Sequence, residues 1–350
     1  MVHSAATARV VRLCQTDLDS RVLRARALHE IGRVVGFDGY AWLLTDPATW
    51  VGAAPLADVP WLGELPRHIK LKYGTTLNRW TSLPSPYVAL LHAASGGDLA
   101  RSLLWRDLLH EHGVGDVASL VFPDKHGCWG FLELFRDAAR GPFTPAEAAF
   151  LQGLVPHLTS ALRRSQAACF ATADQQDHIP AGPVVLLLSP DLEVLGQTPG
   201  TNDYLHTLVP PTQDRPPIPA SAYNVAAQLL AVEAGVDGHP PRARVHLSNG
   251  LWVTLSAARL ARPGQPDLAE IAVTIEDTSP ADRLDLFASA FALSPRESEL
   301  LEHLASGSDT KDLARQMFLT QNTVQDHLKS IFTKTSTRTR PGLLSRALGT

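Results

Sequence analysis

Polar side chains recur at helical spacing near the C-terminus of this 350-residue chain. The inward face of this predicted helix carries four apolar residues at i, i+4, i+7 and i+8: Val324, Leu328, Ile331 and Phe332. The opposite face must then carry Asn322, Gln325, Asp326, Lys329, Ser330 and Thr333. Amide, carboxylate and ammonium groups hydrogen-bond well to phosphate oxygens and to base edges. The spacing therefore predicts a helix that can bind nucleic acid with one face.

The elements that hold this helix form a predicted all-α, four-helix domain over residues 287–350. The first helix starts at Ser294, and Glu297 stands at the reciprocal capping position. The second helix is expected to turn four residues inward: Leu313, Ala314, Met317 and Phe318. The third is the polar helix, capped by Thr320, and a short fourth helix follows. Two helices joined by a short turn, the second polar on its outer face, indicate a helix-turn-helix.

This domain closely resembles the LuxR-type C-terminal DNA-binding domain, which is also found in response regulators of the NarL kind. The matching residues are Leu293-Ser294-Pro295-Arg296-Glu297, Ala305, Gly307, Leu313-Ala314, Thr323-Val324, His327-Leu328-Lys329, Ile331-Phe332 and Lys334. The resemblance implies binding of double-stranded DNA through Thr320, Asn322, Thr323, Val324, Gln325, Asp326, His327, Lys329 and Lys334. It also implies a homodimer held by the last helix, through Leu343, Leu344 and Leu348.

Three positions depart from the family pattern and bear on what the domain would read. Gln325 and Asp326 replace a frequent lysine and an apolar residue, and Ser336 replaces a usual glycine before the last helix. Gln325 can read adenine, and Asp326 can accept a hydrogen bond from cytosine N4. An ion pair between Asp326 and Lys329 within the helix is the alternative for this carboxylate.

The charge balance hides an asymmetry between the two ends of the chain. The net charge is −4, which alone argues against nucleic acid, but residues 283–350 carry +2 and the rest carries −6. No apolar run approaches the roughly 18 residues of a membrane helix, and the N-terminus lacks a secretory pattern. Three widely spaced cysteines predict reduced thiols. We therefore expect a cytoplasmic protein without a membrane partner.

The pattern over residues 20–165 predicts an α/β (α+β) domain. Its expected elements are a helix at Arg21–Val35, a strand at Tyr40–Thr45, a hairpin of Val117–Phe122 and Trp129–Phe135, and a closing helix at Pro145–Arg164. This order of elements resembles a GAF domain. The resemblance implies a sensor domain in front of the helix-turn-helix.

A second α+β domain is predicted over residues 183–277. Strands are expected at Val184–Leu188, Leu192–Leu195, Arg242–Ser248, Leu251–Leu260 and around Ile271, Val273 and Ile275, with a hairpin turn at Asn249-Gly250. The order of two strands, a helical middle and three antiparallel strands resembles a PAS domain. The proline-rich stretch Pro210–Pro219 interrupts that middle.

Six of the seven tryptophans lie in the GAF-like region. Aromatic side chains there are candidates to line a pocket for a small, mostly apolar ligand: Trp42, Trp61, Tyr73, Trp80, Tyr87, Trp105 and Trp129. For each of them, packing in the core is the alternative. The sequence thus favours a ligand-sensing regulator of a dimeric helix-turn-helix. Control by protein partners or dimerisation alone is the second interpretation, and an enzyme with a DNA-binding tail is the third.

No paired acid and base, nucleophile motif or phosphate-binding loop occurs in the chain, so we expect no enzyme activity and no cofactor. His110-Glu111-His112 lacks a third ligand, and we expect no metal site. His206 and His246 lack a supporting heme or flavin motif. The partners expected are double-stranded DNA, a second copy of the chain and an apolar small molecule, with RNA polymerase as a candidate protein partner.

Overall fold

The computed structural model describes residues 2–170, 182–201, 204, 220–247, 251–262 and 265–349. These residues form two compact units. Unit 1 combines residues 2–162 with the described residues between 182 and 277, and unit 2 combines residues 163–170 with 278–349. Unit 1 contains two sheets with helices, and unit 2 is helical. This confirms the predicted mixed α/β N-terminal region and the all-helical C-terminal domain.

The first sheet of unit 1 has five antiparallel strands: β1 (Gly39–Thr45), β2 (Gly52–Asp58), β3 (Val88–Leu90), β4 (Val114–Asp124) and β5 (Gly127–Asp137). Their order across the sheet is β2-β1-β5-β4-β3. Strands β4 and β5 form the predicted hairpin, which closes at the pair Asp124 and Gly127. Gly127 has φ of +135°, and a Cβ atom there would lie 2.4 Å from the Pro47 carbonyl oxygen. Only glycine fits this turn.

Six helices accompany this sheet: α1 (Val2–Cys14), α2 (Ser20–Gly32), α3 (Leu65–Gly74), α4 (Leu91–Ser95), α5 (Leu103–Asp107) and α6 (Pro145–Ala168). Short 3-10 helices lie at Leu62–Glu64, Leu99–Arg101, Leu109–His112 and Ala138–Arg140. Helix α6 begins as predicted, because Thr144 and Glu147 each accept a hydrogen bond from the other's backbone amide. The last residues of α6 belong to unit 2.

The second sheet of unit 1 is also antiparallel: β6 (Val184–Leu188), β7 (Val194–Gln197), β8 (Arg242–His246), β9 (Trp252–Arg262) and β10 (Gln265–Asp277). Its order, β7-β6-β10-β9-β8, repeats the connectivity of the first sheet. Helix α7 (Ala220–Glu233) packs against it. The predicted strands are confirmed, β7 with a shift toward Gln197. Asn249-Gly250, Pro210–Pro219 and His206 lie outside the described residues.

Buried ion pairs join the two sheets within unit 1. Arg244 on β8 donates to Asp46 from Nε at 2.7 Å and from Nη2 at 2.8 Å, and both side chains are almost fully buried. Arg79 and Asp237 form a second buried pair at 2.6 Å. A buried charge that loses its partner is strongly unfavourable. These two pairs, together with an apolar cluster shared by both regions, therefore hold the regions predicted as separate GAF-like and PAS-like domains in one unit.

Unit 2 contains α8 (Pro280–Ala290), α9 (Pro295–Ala305), α10 (Thr310–Gln316), α11 (Gln321–Thr335) and α12 (Arg340–Leu348). Phe170, which precedes the second sheet in the chain, is fully buried in this unit. Its ring packs edge-on against Phe287 at 5.2 Å, and the Arg346 Nε donates to its carbonyl oxygen. Among all helices formed by the described residues, none is long and apolar enough to cross a membrane.

Replacing Arg244 by Met should leave the buried Asp46 carboxylate without its guanidinium partner. Because removal of one partner of a buried pair costs about 3–5 kcal/mol, the free energy of unfolding of unit 1 should fall by that amount. Urea titration followed by tryptophan fluorescence measures it. Lys70→Met is the matched control, since Lys70 and Asp191 form an exposed pair between the same two regions, and such pairs contribute less than about 1 kcal/mol. Equal losses in both variants would contradict the role given to Arg244.

Candidate nucleic-acid interface

Helix α11 presents one polar face to solvent, as the sequence predicts. Val324, Leu328 and Ile331 are buried on its inner side. The exposed residues on its outer side are Gln321, Asn322, Gln325, Asp326, Lys329 and Thr333. The α10 helix, a short turn and α11 form the predicted helix-turn-helix, with α10 and α9 packed against α11.

The N-terminus of α11 offers free backbone amides. Thr320 is the N-cap, and its Oγ1 accepts a hydrogen bond from the Thr323 amide. The Val324 amide donates to the Thr320 carbonyl. Gln321 and Asn322 are the first helical residues, so their amides have no carbonyl partner within the helix. These amides, the helix dipole and the two threonine hydroxyls, which lie 2.9 Å apart, make a site suited to a phosphate.

Gln325, Asp326 and Lys329 occupy the exposed centre of the α11 polar face. Lys329 Nζ lies 3.5 Å from Asp326 Oδ1, and about three quarters of each side chain is exposed (76% and 75%). An exposed pair of this kind contributes little to stability. Lys329 can therefore leave Asp326 for a phosphate or a guanine edge at small cost, and the ion-pair alternative for Asp326 holds in the protein without DNA.

Three residues of the predicted DNA-binding set are used inside the domain. Val324 is fully buried and packs in the core of the domain. His327 is half-buried. Lys334 donates to Glu297 at 2.6 Å and to the Ala292 carbonyl at 3.2 Å, so its charge is neutralised within unit 2. The sequence placed Lys334 correctly on α11 but did not reveal this tertiary ion pair.

Glu297 ties α9 to α11. Its carboxylate completes the predicted capping box by accepting from the Ser294 amide at 2.6 Å. The same carboxylate accepts from Ser330 Oγ and from Lys334 Nζ on α11, both at 2.6 Å. Burial acts to raise the pKa of Glu297, but these hydrogen bonds outweigh it and lower the pKa from 4.5 to about 2. The carboxylate is thus charged at neutral pH and fixes α11 against the rest of unit 2.

The turn before α11 differs from its prediction. Met317 is buried, but Phe318 is not turned inward, because its side chain is 94% exposed. Helix α10 ends at Gln316, and Phe318 takes a left-handed conformation with φ of +56°. The sequence pattern treats Phe318 as the last inward residue of the helix, but the backbone is no longer helical at this residue.

The last helix contributes fewer surface leucines than the sequence predicts. Leu343 is fully buried in unit 2, whereas Leu344 and Leu348 are partly exposed. Leu343 therefore packs in the core of its own chain and is withdrawn from the predicted dimer contact. Ser336, at the position of the usual glycine, adopts the left-handed conformation that a glycine would, with φ of +52°. The turn into α12 keeps its shape without glycine.

Comparison with known proteins identifies this domain. Residues 292–347 match the model of the bacterial regulatory proteins of the luxR family. These residues form a LuxR-family domain. A curated relative, described as the probable HTH-type transcriptional regulator GfsR of Streptomyces halstedii, is 40% identical over 60 residues, or 17% of this chain. The chain thus spans about a quarter of the length of that relative.

Two solved structures show weaker likeness to the chain. The crystal structure of Escherichia coli SdiA has 13% identity and a TM-score of 0.39, with 99% of this chain and 97% of that chain covered. The Vibrio cholerae VqmA dimer, described as a LuxR-type receptor, has 16% identity and a TM-score of 0.19 over 50% of this chain and 84% of that chain.

Outside the LuxR-family domain, the seven aromatic residues proposed for a ligand pocket do not line one cavity. Tyr73, Trp80 and Tyr87 contribute to one apolar cluster of unit 1, and Trp61 and Trp105 to a second. The Tyr73 and Trp80 ring centroids are 4.7 Å apart. Trp42 stacks on Phe122 instead, and Trp129 donates to Asp124.

Strand alternation separates Trp42 from Trp80. Trp42 pairs with Leu132 on β5, whereas Trp80 stacks on the neighbouring residue Phe131 at 4.7 Å. Successive residues of a strand point to opposite faces of the sheet. Trp42 and Trp80 therefore lie on opposite faces of the first sheet, and no single pocket on one face can contain both.

A buried ion pair lies beside Trp80. Lys72 Nζ is 2.5 Å from Glu133 Oε1, and the ammonium lies 5.6 Å from the Trp80 ring centroid. Ser119 Oγ donates to the same carboxylate oxygen at 3.4 Å. No local sequence pattern predicts this pair, although an acidic residue inside the apolar run of β5 is itself a sign that a buried partner is needed.

A groove of about 540 Å³ lies between α1 and α2 in unit 1. Its lining includes Arg9, Arg12, Arg26, His29 and Glu30, and none of the seven predicted aromatic residues. Glu30 pairs with Arg9 at 2.5 Å. The charged residues of this groove are mainly basic, and the aromatic residues that the sequence predicts for a pocket lie elsewhere.

The histidine-containing segments singled out in the sequence contact ion-pair or aromatic partners. In His110-Glu111-His112, His112 contacts Glu64 at 3.0 Å and Glu111 contacts Arg67 at 2.9 Å. Within the described part of the chain, no three His, Cys, Asp or Glu side chains are grouped so that they could hold a metal ion. His246 packs against Trp252, with ring centroids 5.0 Å apart.

Glu297→Gln should weaken unit 2 at neutral pH by roughly 2–3 kcal/mol, because it replaces the charged acceptor of three hydrogen bonds. A carboxyl group whose pKa is lowered on folding stabilises the fold above its unfolded pKa, here 4.5, and this contribution is lost as the pH falls toward 2. The stability difference between wild type and variant should therefore shrink across that window. Denaturant titrations at several pH values measure it.

Glu299→Gln provides the control for this comparison, since Glu299 pairs with Arg296 on the exposed surface of the same helix. We expect less than about 1 kcal/mol from that substitution. A difference between wild type and Glu297→Gln that stayed constant from pH 7 to pH 2 would contradict the assignment.

Proposed function

We propose that this protein is a DNA-binding transcriptional regulator whose LuxR-family domain reads duplex DNA with α11. The observation that carries this proposal is the exposed polar face of α11 beside free amides at its N-terminus. This is the arrangement with which a recognition helix enters the major groove while its first turn holds a phosphate. The family match over residues 292–347 supports the same function.

The contacts divide into two classes by chemistry. Thr320, Thr323 and the first α11 amides would hold a phosphate and so set the position of the helix. Gln325 and Asp326 would read base edges, adenine and cytosine respectively, with Asn322 beside them. Lys329 would bind a phosphate or a guanine edge once it leaves Asp326.

We further propose that two copies bind together. One recognition helix covers too few base pairs for a specific site, and regulators with a helix-turn-helix bind paired half-sites as dimers. Leu344 and Leu348 remain partly exposed on α12 and suit a contact between two copies. Leu343 plays no part in this contact because its own core buries it.

Unit 1 is proposed as the input part, with GAF-like and PAS-like character in its two sheets, in a cytoplasmic protein that regulates and does not catalyse. A mostly apolar ligand would bind over the face of the first sheet that carries Tyr73 and Trp80. The neighbouring Lys72 and Glu133 pair supports this place, because ligand sites combine apolar walls with a few polar groups. Such a ligand acts only if it binds one state of the protein better than another.

Control by a protein partner, with RNA polymerase as one candidate, or by dimerisation alone, is the second candidate. The packing of Tyr73 and Trp80 against each other and against Phe131 favours it, since these rings then serve the core. Under this alternative, unit 1 presents a surface and holds no small molecule.

Lys329→Ala should weaken DNA binding for all sequences and lower the slope of log affinity against log salt by about one, because one phosphate neutralisation is lost. Gln325→Ala should instead relax preference at one base pair, at about 1–3 kcal/mol. Fluorescence anisotropy with a duplex selected by the wild-type chain from random DNA measures both. The same titrations should give two chains per duplex.

Lys70→Ala in unit 1 is the charge control and should leave both the affinity and the salt slope unchanged. Wild-type DNA affinity in both α11 variants would overturn the assignment of α11 as the recognition helix. A ratio of one chain per duplex would overturn the proposed dimer alone.

Substitutions of Trp80 and Trp42 distinguish control by a ligand from control by a protein partner. Indole and a graded series of aryl and alkyl acids should raise the melting temperature of the wild-type chain according to ligand concentration over Kd. Trp80→Phe should reduce this shift, whereas Trp42→Phe, on the opposite face, should not. A bound compound should also change DNA affinity by about 5- to 150-fold. A series without any shift would favour partner control.

A further inference from the structure

Phe318 is exposed to solvent, whereas a large apolar side chain is usually buried in a folded domain. It is 94% exposed, and among the described residues of unit 2 it is the only large hydrophobic side chain left exposed. It also has φ of +56°, in the left-handed region that disfavours residues with a Cβ atom. Burial therefore gives the ring nothing, and the backbone conformation would be easier for glycine or asparagine.

The turn itself does not depend on the ring. The Leu319 amide donates to the Ala314 carbonyl at 2.8 Å, and the Met317 amide donates to the Leu313 carbonyl at 2.9 Å. These backbone bonds close the end of α10 whatever side chain stands at position 318. A strained, exposed residue that the fold does not need points to a role outside the domain.

The position of Phe318 determines what it can touch. It lies two residues before Thr320, so its Cα atom is within roughly 7–8 Å of the Cα atom of the α11 N-cap. If the α11 N-terminus holds a phosphate, the ring lies at the edge of the same stretch of duplex. The chemistry there consists of phosphates, deoxyribose faces and thymine methyl groups.

We propose that Phe318 is an additional DNA contact that packs against an apolar part of the duplex beside the site read by α11. This inference rests on the proposed function. The apolar part is either the methyl group of a thymine or the face of a deoxyribose, which offer the same chemistry to a phenyl ring. Contact between phenylalanine and the thymine methyl group is a known form of base readout.

The surroundings of the ring favour DNA over a protein surface. Its exposed neighbours along the chain are polar or charged: Gln316, and Arg315, which pairs with Asp312. A protein interface is centred on a group of apolar side chains shielded from water. A DNA interface is more polar and more positively charged. A single ring beside charged and amide groups, without further exposed apolar residues, fits the second pattern.

Phe318→Gly in the full chain tests this inference, because glycine removes the ring and accepts the left-handed backbone. We expect an unchanged or higher melting temperature and a roughly 5- to 20-fold loss of affinity for a duplex selected by the wild-type chain. The salt slope should not change, since no phosphate charge is released, which separates this loss from that of Lys329→Ala. Phe318→Asn, which also tolerates the conformation, should behave alike.

Ala292→Gly is the matched control. Ala292 is another non-glycine residue of unit 2 in the left-handed region, with φ of +53°, so this variant relieves the same strain without removing a ring. Its DNA affinity should equal that of the wild type. If Phe318→Gly and Phe318→Asn also bind like the wild type, the inference is overturned, and the ring then serves a protein partner.

Duplexes in which uracil replaces each thymine in turn distinguish contact with a thymine methyl group from contact with a deoxyribose. If the wild type loses affinity at one replaced position and Phe318→Gly does not, the ring contacts that thymine methyl group. If no replacement matters while Phe318→Gly remains weaker, the ring contacts deoxyribose. If the wild-type chain binds no duplex at all, the proposed function and this inference are overturned together. If the wild type binds DNA and the Phe318 variants bind equally well, only the inference about Phe318 is overturned.

Discussion

The carboxylate of Glu297 is the group on which the geometry of unit 2 depends. It caps α9 through the Ser294 amide and at the same time holds Ser330 and Lys334 of α11. One side chain thus sets where α9 begins and how α11 is held against it. This use of charge has a cost, because Lys334 is no longer free for a phosphate. The polar face of α11 then relies on Lys329 and on backbone amides.

Buried ion pairs also contribute to the structure of unit 1. Apolar residues of both regions share one core cluster, which contains Trp80 and Phe131 together with Leu186 and Ile271. The pairs of Arg244 with Asp46 and of Arg79 with Asp237 add polar links between the same regions, with almost no exposure of either side chain. A pair buried in this way is specific in geometry, since each charge requires its own partner.

Sequence patterns predicted the local elements well and the tertiary pairings poorly. The capping box at Ser294, the β4–β5 hairpin and the polar face of α11 depend on residues close together in the chain, and the structure confirms them. The two sheets share the same strand order, but the sequence contains no repeat at a fixed spacing that would predict this. The partner of Lys334 lies 37 positions away, and no local pattern encodes it. Phe318 was misplaced because a single left-handed residue ended the helical period, and Trp42 because one residue of strand register decides its face.

Phe170 has a consequence for how the chain is completed during synthesis. Its ring packs on Phe287, 117 positions later in the chain, and the whole second sheet lies between them. The ribosome therefore delivers this ring long before α8 exists. Contacts of such large sequence separation form slowly, because a long loop must close first. Phe170 thus waits for the helices that are made last, and the helical unit is discontinuous in sequence, with limits that do not coincide with those of the family domain within it.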